Sequence, residues 1–186
     1  MFEKLECEIL VEDKIGKLLM SAKKRAEELG LKTVLVASSS GQTGARAAEL
    51  FEGFNVVVVT HSTGFAGPDV QELTAENRER ILKAGGKILT TTHAFGGLGR
   101  SVRRKLGTYQ TDEIVANALR IFGQGTKVAV EIALMAADAG LISVNEDVVS
   151  IGGTGTGADT ALVLKPANVQ DFFDLRVHEI ICKPWL

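Results

Sequence analysis

Residues 56–59 are four valines in a row, followed by Thr60 and His61. β-Branched side chains lose little on a pleated surface, so the run is predicted to be a strand. It shows no apolar–polar alternation, which means that both faces are buried, as in a parallel sheet. A parallel neighbour must return by a crossover of about a dozen residues or more, usually through a helix. The chain supplies that alternation. Asp13 is placed to cap a helix running to about Leu29, with Ile15, Leu18, Leu19, Ala22, Ala26 and Leu29 at helical spacing and Gly30 as its stop. A strand at Thr33–Ala37 follows, then a helix at Ala45–Phe51 stopped by Gly53. After the valine strand, Asp69 or Thr74 caps a helix to about Leu82, Gly85 and Gly86 break it, and Lys87–Thr91 is a third strand. Helices alternating with buried strands predict right-handed crossovers and a parallel sheet.

The second half changes character. Arg100–Lys105, RSVRRK, follows a glycine-rich stretch, and on a helix Arg100, Arg103 and Arg104 share one face. Most such runs are solvated; the other reading is a contact to a ligand phosphate. Thr111–Phe122 reads as a helix with Ile114, Val115, Ala118, Leu119 and Phe122 on its inner face. Thr126–Ala139 is apolar on most sides and reads as a buried helix, with Glu131 on an exposed stripe. Val148–Ile151 and Thr160–Leu164 are strands joined by the glycine-rich turn 152–157, which makes the second antiparallel to the rest. Val177–Cys182 reads as a last edge strand after a turn at 171–174. The expected fold is a single α/β domain over residues 1–186, a three-layer α/β/α sandwich. Its first strand lies centrally, the second and third go to one side, and the fourth and fifth go to the other.

In such a sheet the polar segments after each parallel strand gather at one edge, where open α/β folds bind ligands. The segment Ser38–Gly44, SSSGQTG, joins a strand to a helix start. Helix N-termini present unpaired N–H groups and a partial positive charge, so the expectation is a phosphate-binding loop, the other reading being an ordinary strand–helix turn with serine caps. Ser38, Ser39, Ser40 and Thr43 add hydroxyls, and Gly41 and Gly44 allow close approach of a ligand, so that a bulky residue at 44 is expected to block binding. The turn Gly152–Gly157, GGTGTG, offers backbone N–H groups at Gly153 and Gly155 and hydroxyls at Thr154 and Thr156. It opens no helix, so it lacks the context of a dinucleotide fingerprint, and GxxxxGK[ST] is absent.

Composition narrows the classes. The chain has 45% hydrophobic and 24% charged residues and a formal charge of −2, so nucleic acid is not expected as a partner. Its N-terminal stretch is charged throughout, and no apolar run reaches the length of a membrane span. The expectation is a cytoplasmic protein that is not membrane-bound, with a homo-oligomer possible. Cys7 and Cys182 stand near opposite ends without CxxC spacing, which points to unreactive thiols rather than a disulfide or a metal site.

The stretches VASSSGQTG, VVVVTH, GQGTKVAVEIALMAADAGLI, GGTGTGADTALVLKPAN and FFDLRVHEI resemble those of stand-alone archaeal proteins with the fold of the pyruvate kinase C-terminal domain. Members of that group bind flavin mononucleotide (FMN), so the resemblance implies FMN as a cofactor, its phosphate on Ser38–Gly44. From their places on neighbouring strand-end loops, His61, Thr63, Thr92 and His93 are expected to contact such a ligand, and Phe65 and Phe95 to flank a flat ring. The resemblance implies no reaction. The 186 residues leave no room for the catalytic barrel of pyruvate kinase, so phosphoryl transfer to pyruvate is not carried over.

Two functions compete: a flavin-binding oxidoreductase or flavin carrier, and a non-catalytic sensor of a phosphorylated metabolite such as a sugar phosphate. A metal hydrolase built on His61 and His93 lacks a third ligand nearby, and no metal is expected. A serine nucleophile at Ser38, Ser39 or Ser40 lacks the GxSxG pattern.

Overall fold

A computed structural model of the chain describes residues 2–155 and 157–185, with side chains from residue 14 onward. The elements in order are α1 (Phe2–Glu28), β1 (Thr33–Ala37), α2 (Gln42–Leu50), β2 (Asn55–Thr60), α3 (Ala75–Lys83), β3 (Lys87–Thr90), α4 (Leu98–Leu106), α5 (Thr111–Leu119), α6 (Gln124–Asp138), β4 (Val148–Gly152), β5 (Thr160–Lys165) and β6 (Arg176–Cys182). Short 3-10 turns at Arg120–Phe122 and Val169–Asp174 complete it.

The six strands form one sheet in the order β3-β2-β1-β4-β5-β6. β1 pairs in parallel with β2 and β4, and β2 with β3. β4–β5 and β5–β6 are antiparallel. The expected order and directions are those observed.

Side chains alternate strictly across the central strands. Val34, Val36, Val56, Val58, Val149 and Ile151 face the layer of α1, α2 and α3. Leu35, Val57, Val59, Val148, Leu162 and Leu164 face that of α5 and α6. Because both faces are filled, β1 and β2 read as continuous apolar runs rather than alternating ones. β1 to β2 to β3 is wound outward with helices on one face. The chain then crosses back through α4, α5 and α6 on the other face to enter β4 beside β1. The winding therefore reverses between β1 and β4, and the N-termini of α2, α3 and α6 all lie at the carboxyl edge of the parallel strands.

Three local readings are corrected. α1 begins at Phe2, not at Asp13. Residues 2–13 include four Glu and two Leu and contain no Gly or Pro, so nothing stops the helix there. α5 buries only part of the expected stripe: Val115 and Leu119 pack against the core, but Ile114 is 58% exposed and Phe122 53% exposed, and Glu113 and Ala116 lie further inward. The inward Glu113 is ion-paired with Arg103 of α4. Glu131 is buried, on a helix with no exposed stripe at that position.

α2 lies so close to β2 that a methyl carbon at Gly44 would overlap Val58 Cγ1 and stand 3.3 Å from Ser38 Cβ. Gly44 is thus a packing residue, which revises the expectation that a larger residue there acts mainly by blocking a ligand. In an exposed helix interior Gly→Ala gains about 1 kcal/mol. Here the stiff, buried Val58 cannot give way, and overpacking of this kind costs about 1–3 kcal/mol. Gly44→Ala should therefore lower the urea midpoint; a rise would show that α2 can move off the sheet.

Candidate functional site

The carboxyl edge carries four loops, and the structure shows what each of their polar groups does. In the first, Ser38 donates its N–H to the Val59 carbonyl (3.0 Å) and accepts at its hydroxyl from Gly44 N–H (3.1 Å). Ser38 is buried and works as an internal cap of α2. Gly41, the N-cap position, is left-handed (φ 89°) and provides no side-chain cap. A methyl carbon there would overlap Leu73 Cδ1 and stand 2.7 Å from Asn77 Cβ, so α3 packs directly on this turn. The Ser40 carbonyl accepts from Thr74 N–H (3.2 Å) and Asn77 Nδ2 (3.1 Å). Among the described residues no side chain accepts from the N–H groups of Gln42 and Thr43. Ser39 is half-buried, Ser40 is exposed, and the Thr43 side chain is buried.

The second and third loops meet over the edge of β2 and β3. His61 Nδ1 lies 2.6 Å from Glu72 Oε2. Gln71 donates from Nε2 to the His61 carbonyl (3.2 Å) and to Thr63 Oγ1 (3.4 Å). The Phe65 ring stacks on His93 at 5.0 Å and 21°, lies 4.1 Å from His61 and carries the Arg100 guanidinium 4.8 Å above it. Ser62 N–H donates to His93 Nε2 (3.4 Å), which gives His93 the neutral tautomer with its proton on Nδ1. Thr92 and Thr63 are exposed.

Phe95 does not flank an open space. It is 7% exposed, meets Phe172 edge-on at 5.7 Å and belongs to the core on the α6 face. Its N–H donates to Glu131 Oε1 (2.9 Å). Glu131 is ion-paired with Lys127 on the preceding turn of α6, and both side chains are almost fully buried. Burial pushes the Lys127 ammonium below its ordinary value, with Glu131 opposing that shift. This group was missed in the sequence, where the available signal was the i, i+4 spacing of Lys127 and Glu131 inside an apolar run.

The fourth loop is organised from within. Asp159, also missed, accepts from Thr154 N–H (2.9 Å) and Thr160 Oγ1 (2.6 Å). Gly152 backs onto the first turn of α6, where a methyl carbon would overlap the Gly125 carbonyl oxygen. Gly153 is half-buried and Gly155 exposed; Thr156 lies outside the described residues. A carboxylate on the N–H of Thr154 already fills the role expected of a phosphate there.

The structure thus brings His61, Phe65 and His93 together, whereas Ser38–Gly44 is tied to α3 and Gly153–Gly155 to Asp159. Two clefts border the aromatic group. One, of about 510 Å³, runs from His93 along Leu98 and Val102 to Asp112. The other, of about 440 Å³, runs from Phe65 between α4 and α5 to Arg120. Among the described residues no three His, Cys, Asp or Glu side chains converge as a metal site, and no helix is long and apolar enough to cross a membrane. Cys182 is half-buried, and burial pushes its thiol up; the Cys7 side chain lies outside those described.

Two outcomes follow from the buried groups. Lys127→Met leaves Glu131 as an uncompensated buried charge and should cost about 3–5 kcal/mol in urea unfolding. Adding Glu131→Gln should return much of this, because a neutral amide still accepts from Phe95 N–H; a single variant as stable as the parent would refute the pairing. Burial holds the His93 imidazole below its ordinary 6.5, opposed by Glu131 and reinforced by His61, Lys127 and Arg100. The folded state then binds fewer protons than the unfolded one, so this stability is present above about 6.5 and is lost as the pH falls from there toward the folded value. His93→Gln should flatten the fall in urea midpoint between pH 7.5 and 5.5, and an unchanged slope would remove His93 as its source.

The family described as "Pyruvate kinase, alpha/beta domain" matches residues 16–164. Among solved structures, pyruvate kinase from Cryptosporidium parvum is similar at 13% identity and TM-score 0.37, over 76% of this chain and 21% of that one. O-ureido-L-serine synthase is similar at 20% identity and TM-score 0.32, over 69% and 48%. A point variant of that synthase bound to O-ureido-L-serine gives 19% and 0.33, over 69% and 47%. The chain therefore spans about a fifth of that pyruvate kinase and about half of the synthases, and at these TM-scores the structural likenesses carry no argument. On the family match, which covers most of its length, the chain belongs to the pyruvate kinase alpha/beta domain family.

Proposed function

We propose that the chain binds a phosphorylated small molecule at the carboxyl edge of its sheet, with the phosphate on the first turn of α2. The observation that carries this is the first turn of α2, where the N–H groups of Gln42 and Thr43 have no side-chain acceptor among the described residues, beside the point where the winding reverses. The N–H groups of Gln42 and Thr43 stand at that turn, Ser39 and Ser40 precede it in the same loop, and the helix dipole favours an anion there. The cytoplasmic pool of phosphorylated metabolites is the setting this reading assumes.

FMN is the ligand that the resemblance to the archaeal group implies, and its phosphate suits that turn. Its ring does not suit the residues expected to flank it. Phe95 is part of the core, and Phe65 is already stacked between His61, His93 and Arg100. The geometry therefore supports a binding or sensing role ahead of a flavin oxidoreductase or carrier, and no redox step is derived.

The absorption spectrum of the purified protein, followed by competition calorimetry with FMN, riboflavin and fructose 1,6-bisphosphate, tests this. A phosphate held by charge-assisted hydrogen bonds is worth about 1.5–3 kcal/mol per bond. Ser40→Ala should therefore weaken either phosphorylated ligand about ten- to hundredfold. Riboflavin should bind on the order of a hundredfold more weakly than FMN. A yellow protein with that preference would establish the flavin reading; a winning bisphosphate would establish the sensor. Unchanged affinity in Ser39→Ala and Ser40→Ala would refute the placement on α2.

A further inference from the structure

We propose that the cleft between α4 and α5 is a second ligand site, for a small phosphorylated molecule that also carries a hydroxyl group. Its volume of about 440 Å³ lies in the range of small-molecule sites. Arg100, Arg103 and Arg104 reach it from one face of α4, and Arg120 reaches it from the end of α5. Glu113 is the one carboxylate among its lining residues, so four guanidinium groups face one negative charge. The chain as a whole has a formal charge of −2, so this concentration is local and not a general basic surface.

The pairings leave most of that charge available. Arg103 is held by Glu113 (2.6 Å) and by the Tyr109 ring (5.3 Å). Arg120 is oriented by neutral groups, Gln124 Oε1 and Asn117 Oδ1, each at 2.7 Å, which position it without cancelling its charge. Arg100 lies over Phe65. Arg104 has no carboxylate partner among the described residues. Planar guanidinium forks match phosphate oxygens two at a time, which suits such a set to phosphate more than a set of lysines would.

A second, independent observation defines the ligand further. Glu113 is 7% exposed, and its Oε2 is buried without any hydrogen-bond partner. A buried carboxylate oxygen left without a donor is costly. Inorganic phosphate can offer a P–OH proton only by bringing its own negative charge against the carboxylate, whereas a hydroxyl a few bonds from the phosphate donates without that repulsion. A ligand with a hydroxyl beside its phosphate would satisfy the arginines and Glu113 together. The site uses none of Ser38–Gly44, so it stands or falls separately from the reading above.

Calorimetry at low ionic strength with ribose 5-phosphate and inorganic phosphate, combined with NMR of the arginine Nε–H resonances, tests this. The sugar phosphate should bind about tenfold more tightly than inorganic phosphate, reflecting the hydroxyl donated to Glu113. Measured in a Ser40→Ala background, so that the α2 turn does not contribute, Arg104→Gln/Arg120→Gln should weaken the sugar phosphate at least about tenfold. The wild-type resonances of Arg103, Arg104 and Arg120 should shift on titration, a readout that needs no variant to fold. Shifts confined to the amides of Ser38–Gly44, or variants that bind as the parent does, would overturn this site while leaving the α2 reading intact. Absence of binding or equal affinity for the two probes would overturn it as well.

Discussion

The valines of β2 have to be covered on both faces of the sheet, and most of the architecture follows from that requirement. Val56 and Val58 take α2 and α3 as their cover, and Val57 and Val59 take α6. A sheet covered on both sides is wound outward with helices on one face and back with helices on the other. That return brings β4 in beside β1 and sets the N-termini of three helices along one edge. The close contact of Gly44 with Val58 shows how tight this layering is. The gathering of strand-end loops and helix N-termini at that edge is therefore a consequence of core packing, independent of what the loops contain.

What the loops contain is largely turned inward. The Ser38 hydroxyl serves Gly44, the Thr154 N–H serves Asp159, and His61 serves Glu72. Each is a group whose type and position at a strand end suggest a ligand contact. In a loop of small polar residues the same donors can close on the protein itself, since a buried N–H without a partner is costly whether or not a ligand is present. In the first turn of α2 the Gly44 N–H is taken by Ser38, while those of Gln42 and Thr43 have no side-chain acceptor among the described residues.

The Lys127–Glu131 pair ties this edge to the core. Glu131 reaches out of α6 to hold Phe95 N–H and so fixes the segment between β3 and α4. That segment positions His93 under Phe65 and starts α4, whose arginines line the cleft toward α5. A buried ion pair is weak evidence for stability, because desolvation offsets its attraction. Its effect here is geometric: it sets where the aromatic group and the basic helix stand relative to the sheet.

Strand positions, their parallel directions, the hairpin at 152–157 and the central place of β1 were legible in the sequence, because burial on both faces writes itself as unbroken β-branched runs and glycine marks the turns. The basic face of α4 was legible for the same kind of reason, since i, i+3 and i+4 spacing is local. The inner face of α5 was legible only in part: Val115 and Leu119 pack inward, but the burial of Glu113 goes with its partner Arg103 on another helix. The burial of Phe95 and Glu131 was not legible, nor was the use of Asp159 as an internal anion. Those outcomes depend on which groups distant in sequence arrive within hydrogen-bond reach. Local pattern decides which residues lie in strands and helices; only the packed tertiary structure decides which polar groups find partners inside the protein and which remain for a ligand.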